Sequence, residues 1–284
     1  MKHHRQFRYY SILLTVLLPF PLIAQPFFDT HLHYTANDAQ RYSPKEILRR
    51  LDANNVMYAA VTRVSPTYTR QLYQAAPDRI VPLLAPERDK ANKTEWIYNR
   101  NLITFLEKEL ENDYWRGIGE LHVFARDRHS KVFEKIVALA SEKQLPLLIH
   151  GDPAVIDRIY ELAPRQPVIW AHAGTFPYTD LIMDYLRRYP HLLIDLSMRD
   201  ERIAPGGEID DNWYELFVTF PDRFMVGVDT YSTERWDKYD SAVETIRSWL
   251  EQLPTDIAMQ LAYTNAARLY KKRLSIKGDR EIIN

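Results

Sequence analysis

Cysteine is absent from this chain of 284 residues. That excludes disulfides, a thiol nucleophile, a lipoprotein attachment site and thiolate metal ligands, so any metal must be held by nitrogen and oxygen. No acidic residue precedes Asp29. No apolar run reaches the roughly 20 residues of a membrane-spanning helix. Low-complexity segments and long linkers are missing as well. Nor is there an excess of basic charge: 37 Lys and Arg stand against 38 Asp and Glu. That balance offers nothing to attract a nucleic acid.

The acid-free start is itself informative. Lys2, Arg5 and Arg8 are followed by a mostly apolar stretch from Ser11 to Ala24, the proportions of an export leader with a small residue at the cut. Residues 1–24 are therefore expected to be a signal peptide; an uncleaved N-terminal anchor is the alternative. Cleavage would deliver a periplasmic or secreted protein of 260 residues, with 34 basic and 38 acidic groups and a net charge of −4. No stable membrane span remains after cleavage, and the sequence sets no oligomeric state.

The remaining chain alternates short apolar runs with helical stretches, and eight rounds can be counted. Strands are expected over Phe27–His33, Val56–Arg63, Ile80–Ala85, Arg116–His122, Leu145–His150, Pro167–His172, Leu192–Ser197 and Phe224–Asp229. Helices are expected over Pro44–Asn54, Thr94–Glu111, Lys131–Lys143, Ala154–Ala163, Thr179–Tyr189 and Ser241–Gln252. Ser43-Pro44 reads as an N-cap followed by proline at the first helical position. Runs such as Pro-Leu-Leu-Ile are nearly continuous in apolar residues, as a parallel sheet buried on both faces requires. Eight β-then-α units in about 250 residues indicate an α/β fold, a (β/α)8 TIM barrel in one domain over 25–271, rather than a doubly wound sheet. A polar tail follows over 272–284.

Active sites of such barrels lie at the carboxyl ends of the strands. His31 and His33 close the first strand in Asp29-Thr30-His31-Leu32-His33, and period two aims both imidazoles to one face. Glu120, His150, His172 and Asp229 sit at or near the ends of later strands. Six metal-competent groups at one rim point to a bound divalent ion, with zinc first and manganese, iron or nickel also suited to these ligands. His122 shares a strand face with Glu120 and is expected to line the pocket. Arg63 and Arg199 are candidates to clamp an anionic substrate group, with structural ion pairs as the alternative. Tyr231 and Trp236 are candidates for a pocket wall, Trp170 for the core, and His129 and His191 fall away from the rim.

This order of residues resembles the amidohydrolase superfamily, in particular its compact single-domain barrels, from Phe28 to about Tyr270. The resemblance implies that His31, His33 and Asp229 hold the more buried ion. It implies further that His150 and His172 hold a second ion, or in one-metal members position substrate and water. Glu120, in Gly-Ile-Gly-Glu-Leu-His, is similar to the strand-4 carboxylate that bridges two ions in some branches. No lysine stands there to serve as the carbamylated bridge of others. Thr264–Tyr270 resembles the family's terminal helix. The implied chemistry is attack by metal-activated water on a small ester, lactone, amide or related bond. Asp229 would act as general base and acid, and His172 would help polarise the attacked group. Asp29 is placed to fix a histidine tautomer. The alternatives are a metal-dependent carboxy-lyase acting on a small acid, which an arginine in the pocket would favour, and a non-catalytic metal- or solute-binding barrel. Deoxyribonuclease-like relatives share the ligand pattern, but the acidic balance argues against nucleic acid; the expected partner is a small-molecule substrate.

Overall fold

The computed structural model describes residues 25–62, 65–86 and 95–271. Eight strands form one sheet in chain order: β1 (Phe27–His33), β2 (Val56–Thr62), β3 (Ile80–Leu84), β4 (Gly117–Val123), β5 (Leu147–Gly151), β6 (Val168–Trp170), β7 (Leu192–Asp195) and β8 (Phe224–Met225). Each pairs in parallel with the next. The sheet curls until its ends meet. Thr30 N donates to Val226 O at 3.0 Å and Asp229 N to His31 O at 2.8 Å, joining β1 to the chain just beyond β8. With a helix in most connections, this is the (β/α)8 barrel the sequence predicts.

The expected helices form with ends shifted by a residue or two, except one. The stretch expected over Thr94–Glu111 is divided into a short turn, Glu95–Tyr98, and a helix, Leu102–Glu109. Between them the Asn99 side chain accepts from Asn101 N at 3.1 Å, a local bond that competes with helix propagation. The helix Pro44–Ala53 starts as the sequence indicates, with a reciprocal capping box between Ser43 and Glu46.

Two apolar layers hold the barrel. One lies between strands and helices and includes Leu32, Val61, Ile118, Ile149 and Trp170. A second gathers Phe28, Val81, Leu83, Leu148 and Met225 from the strands with Tyr263, Ala266 and Tyr270 of the terminal segment. Tyr270 packs against Phe28 with ring centroids 5.7 Å apart. The terminal helix thus closes the end of the barrel opposite the strand carboxyl ends, which are left to build a site. The leader expected over 1–24 and the tail expected over 272–284 lie outside the described residues. Among the described residues, no helix is long and apolar enough to cross a membrane.

A candidate metal centre at the strand carboxyl ends

All seven residues of β1 are buried. Its register shifts between Asp29 and Leu32, and such an irregularity breaks strict alternation. His31 and His33 both reach the site, with ring centroids 5.0 Å apart. His33 Nδ1 lies 2.8 Å from the carbonyl of Thr62. A carbonyl only accepts, so Nδ1 carries a proton and the neutral ring offers its lone pair at Nε2. His31 Nδ1 is held in the same sense by the Asp195 carboxylate at 2.8 Å.

The two Nε2 atoms face carboxylates from β4 and from the loop after β8. His33 Nε2 stands 3.2 Å from Asp229 Oδ1 and 3.5 Å from Glu120 Oε2. His31 Nε2 stands 3.6 Å from Glu120 Oε2 and 4.0 Å from Asp229 Oδ1. On the other side of Glu120, Oε1 accepts from His150 Nδ1 at 2.9 Å and lies 3.3 Å from His172 Nε2. His122 Nε2 is 3.8 Å from the same oxygen, and its ring stacks on His150 at 4.4 Å. The Glu120 carboxylate therefore separates an inner set of imidazoles, His31 and His33, from an outer set, His150 and His172 with His122 beside them. The structure brings all six expected ligands together.

Two of the expected ligands sit outside the strands that the sequence assigns them to. His172 lies in the turn Ala171–Ala173 after β6, with φ 57°. Asp229 lies beyond β8, with φ 55°. Left-handed backbone is uncommon for residues other than glycine and tends to persist where surrounding structure enforces it, often at functional sites. Here Arg199 enforces the first. Its Nε donates to His172 O at 2.6 Å and its Nη2 to Gly174 O at 3.0 Å. The second is held by the bond from Asp229 N to His31 O. Gly227 lets the two chains come this close, because a Cβ there would stand 2.9 Å from His31 Cβ and 3.0 Å from Asp195 Oδ1.

Three expectations change at this point. Arg199 does not present these nitrogens to a substrate anion; they are taken by backbone carbonyls behind the site. Asp29 does not fix an imidazole. Its carboxylate accepts from His31 N and Val228 N, both at 3.1 Å, and from Tyr239 hydroxyl at 2.9 Å, so it ties β1 to the β8 loop and the helix Tyr239–Leu250. Trp236 is not a pocket wall: it is fully buried, donates from Nε1 to His33 O at 3.2 Å and stacks on Tyr239. Arg63 lies outside the described residues. Trp170 is buried core, as expected, with Nε1 donating to Gly151 O at 2.9 Å. His129 and His191 are exposed and take no part in the ligand cluster.

Asp195, Ser197, Thr62 and Thr230 were not singled out by the sequence. Thr230 accepts from His33 N and donates to His33 O, both at 2.8 Å. The Thr62 hydroxyl accepts from Glu120 N at 3.0 Å and donates to Gly119 O. A buried carboxylate closing an apolar run, as in Leu-Leu-Ile-Asp, was the available sign of Asp195.

The electrostatics follow from this crowding. Burial alone would raise the Glu120 carboxyl, but His31, His150 and His172 bring it well below its ordinary value. Asp229 is likewise lowered, against burial, by His31, His33 and His172. Burial would lower His31, yet Asp195, Asp229 and Glu120 hold it well above its ordinary 6.5. Burial dominates at Asp29 and pushes it up to about 7, against the lowering effect of its hydrogen bonds.

A family model described as amidohydrolase matches residues 28–272. The chain belongs to the amidohydrolase family. It is an enzyme of that type, at the family level a metal-dependent hydrolase. No curated protein matches. Among solved structures, an amidohydrolase from Burkholderia multivorans with bound zinc has a TM-score of 0.56 at 17% identity, over 87% of this chain and 99% of that one. A candidate 2-pyrone-4,6-dicarboxylic acid hydrolase from Pseudomonas putida has a TM-score of 0.61 at 13% identity, over 89% and 99%. A TatD homolog from Escherichia coli K12 has a TM-score of 0.58 at 13% identity, over 86% and 98%. At these identities the likeness is one of fold.

The donor set suits a divalent ion on its own terms. His31 Nε2 and Asp229 Oδ1 are both buried and lack a hydrogen-bond partner. Buried polar atoms are costly when unsatisfied, and a cation between this lone pair and this carboxylate oxygen satisfies both. Imidazole and carboxylate oxygen are the donors that zinc and related ions take.

Proposed function

We propose that the protein is a zinc-type hydrolase that cleaves a small ester, lactone, amide or related bond. The observation that carries this reading is the division of the Glu120 carboxylate between two sets of imidazoles, with Asp229 beside both. His31, His33 and Asp229 would hold one ion; His150 and His172 would hold a second, with Glu120 between them. A divalent ion held there supplies Lewis acidity and lowers the pKa of water toward 7.

The chain's own groups do the rest. Asp229 keeps an ionised carboxylate because three imidazoles surround it. Its Oδ2 lies 3.9 Å from His172 Nε2, on the side away from the orphaned Oδ1. From there Asp229 takes the proton of the attacking water and returns it to the leaving group. His172, with Nδ1 on Ser197 and Nε2 facing Glu120 and Asp229, would help hold the ion that polarises the attacked oxygen. Phe124, Phe176, Tyr178, Met198 and Tyr231 follow the strand ends and are all at least 38% exposed. These side chains support a substrate with an apolar or ring-shaped flank.

The carboxy-lyase reading loses the support it drew from Arg199, whose bonding nitrogens are directed to backbone. A cyclic ester gains some support from likeness to a candidate pyrone dicarboxylic acid hydrolase. We also read the basic, then apolar, N-terminus as directing export to the periplasm or beyond. The function is tested by assaying zinc-loaded protein against panels of lactones, esters and amides alongside Asp229→Asn. Turnover in wild type that falls at least about 100-fold in the variant supports the reading; equal turnover in both refutes the general-base role.

A further inference from the structure

β7 supplies none of the six expected ligands, yet alternate residues along and beyond it, Asp195, Ser197 and Arg199, touch His31 and His172. We infer that Asp195, Ser197 and Arg199 form one positioning network that fixes His31 and His172 together. This rests on the reading of those two histidines as metal-binding.

The proton arrangement follows from donor and acceptor chemistry. Asp195 Oδ2 accepts from His31 Nδ1 at 2.8 Å and from the Ser197 hydroxyl at 2.6 Å. A serine has a single hydroxyl hydrogen, so with that hydrogen given to Asp195 its oxygen can only accept: from His172 Nδ1, 2.9 Å away, with His31 Nδ1 farther off at 3.3 Å. The carbonyl of Ser197, 3.2 Å from the same nitrogen, can also only accept. Donation therefore runs from His172 to Ser197 to Asp195, and from His31 to Asp195. Both rings carry hydrogen on Nδ1 and turn Nε2, the nitrogen left to take an ion in place of a proton, toward Glu120 and Asp229.

The backbone is held by the same group of residues. Asp195 Oδ2 also receives His172 N at 3.3 Å, and Oδ1 receives Ser197 N at 3.0 Å. Arg199 holds the carbonyls of His172 and Gly174 from the far side. Asp195 and Ser197 are fully buried, so water does not substitute for either. Carboxylates that hold the second nitrogen of a metal-bound histidine are worth about 10–100-fold in metal affinity. Here one carboxylate serves a histidine of the inner set directly and one of the outer set through a hydroxyl. Loss of Asp195 must therefore reach both.

The test uses the full chain: wild type, Asp195→Asn and Ser197→Ala, with zinc affinity from chelator competition and imidazole ¹⁵N spectra of the zinc-loaded proteins. Asp195→Asn is expected to weaken zinc binding about 10–100-fold and to shift the nitrogens of both His31 and His172. Ser197→Ala is expected to weaken it about threefold to tenfold, the worth of one hydrogen bond, with the main spectral change at His172. A purely structural role would lower thermal stability without moving the His172 nitrogens. Wild-type affinity in folded Asp195→Asn, or a spectral change confined to His31, overturns the network. If Asp195→Asn does not fold, wild-type affinity in Ser197→Ala overturns it. Failure of the wild type to bind zinc overturns the metal-centre reading along with it, whereas binding that the variants leave unchanged overturns the network alone.

Discussion

His31 Nε2 and Asp229 Oδ1 face each other across 4.0 Å, both buried and both without a hydrogen-bond partner. The surrounding chain spends several bonds to keep them there: Asp195 on the far nitrogen of His31, and the His31 carbonyl on Asp229 N. A pair held this firmly around unsatisfied atoms suits a divalent cation.

Zinc should therefore stabilise the fold. At free zinc of about 100 times Kd, linkage adds about 2.7 kcal/mol. Asp229→Asn removes a charged ligand and should bind zinc more weakly, with a correspondingly smaller rise in Tm. Differential scanning fluorimetry with and without zinc checks this; an equal rise in both proteins would contradict it.

The zinc effect should depend on pH. His31 is raised above 6.5, so its favourable contribution to the metal-free fold is complete below that value and is lost as pH rises through the raised pKa. Asp29 acts in the same direction: raised from 3.8 to about 7, it binds a proton in the folded state that the unfolded chain has released, and stability falls across that window. Glu120, being lowered, contributes above its ordinary 4.5 and loses that contribution only as pH falls. Zinc must displace the His31 proton, so its affinity should rise with pH. Chelator competition from about pH 6 to about pH 9 measures this. A flat profile would contradict it.

Gly227→Ala should damage the site without removing a ligand. The added Cβ meets His31 Cβ at 2.9 Å and Asp195 Oδ1 at 3.0 Å. Overpacking of this kind costs about 1–3 kcal/mol, and it pushes on a ligand and on the carboxylate that orients it. Lower Tm together with weaker zinc binding is the expected result; lower Tm with unchanged zinc affinity would show that the contact relaxes away from the site.

The apolar rim should govern substrate preference. Replacing Phe176 or Tyr231 with Ala is expected to raise KM for substrates with an apolar flank, leaving kcat within about twofold, since both rings are exposed apolar groups that offer binding surface and loss of uniform binding leaves turnover unchanged. Steady-state kinetics on a short and a long acyl ester would show the split. An equal effect on both esters would place the rim outside substrate binding.

Much of this fold was legible because eight buried parallel strands leave eight apolar runs in order, and the terminal helix follows them. The candidate ligands could be picked out because histidine and carboxylate are conspicuous at the ends of such runs, and the structure gathers them in one place. What escaped lies where backbone departs from period two. β1 shifts register just after Asp29, whose carboxylate meets Tyr239 and not an imidazole, and no residue type announces a shift. His172 and Asp229 follow apolar residues that read as strand, although the chain has already turned left-handed at both. Trp236 lies in a loop by sequence position but pairs with a carbonyl of β1. Asp195 and Ser197 fell inside an expected strand with no role assigned, because their partners come from β1 and from the turn after β6, distant in the chain.

The most direct test of the central claim is zinc stoichiometry on the purified full chain, measured by elemental analysis after zinc loading, for wild type, Glu120→Ala and His150→Ala. Wild type should hold one or two equivalents and Glu120→Ala fewer, with His150→Ala losing only the outer ion where two are present. Wild-type protein that retains no zinc would contradict that claim.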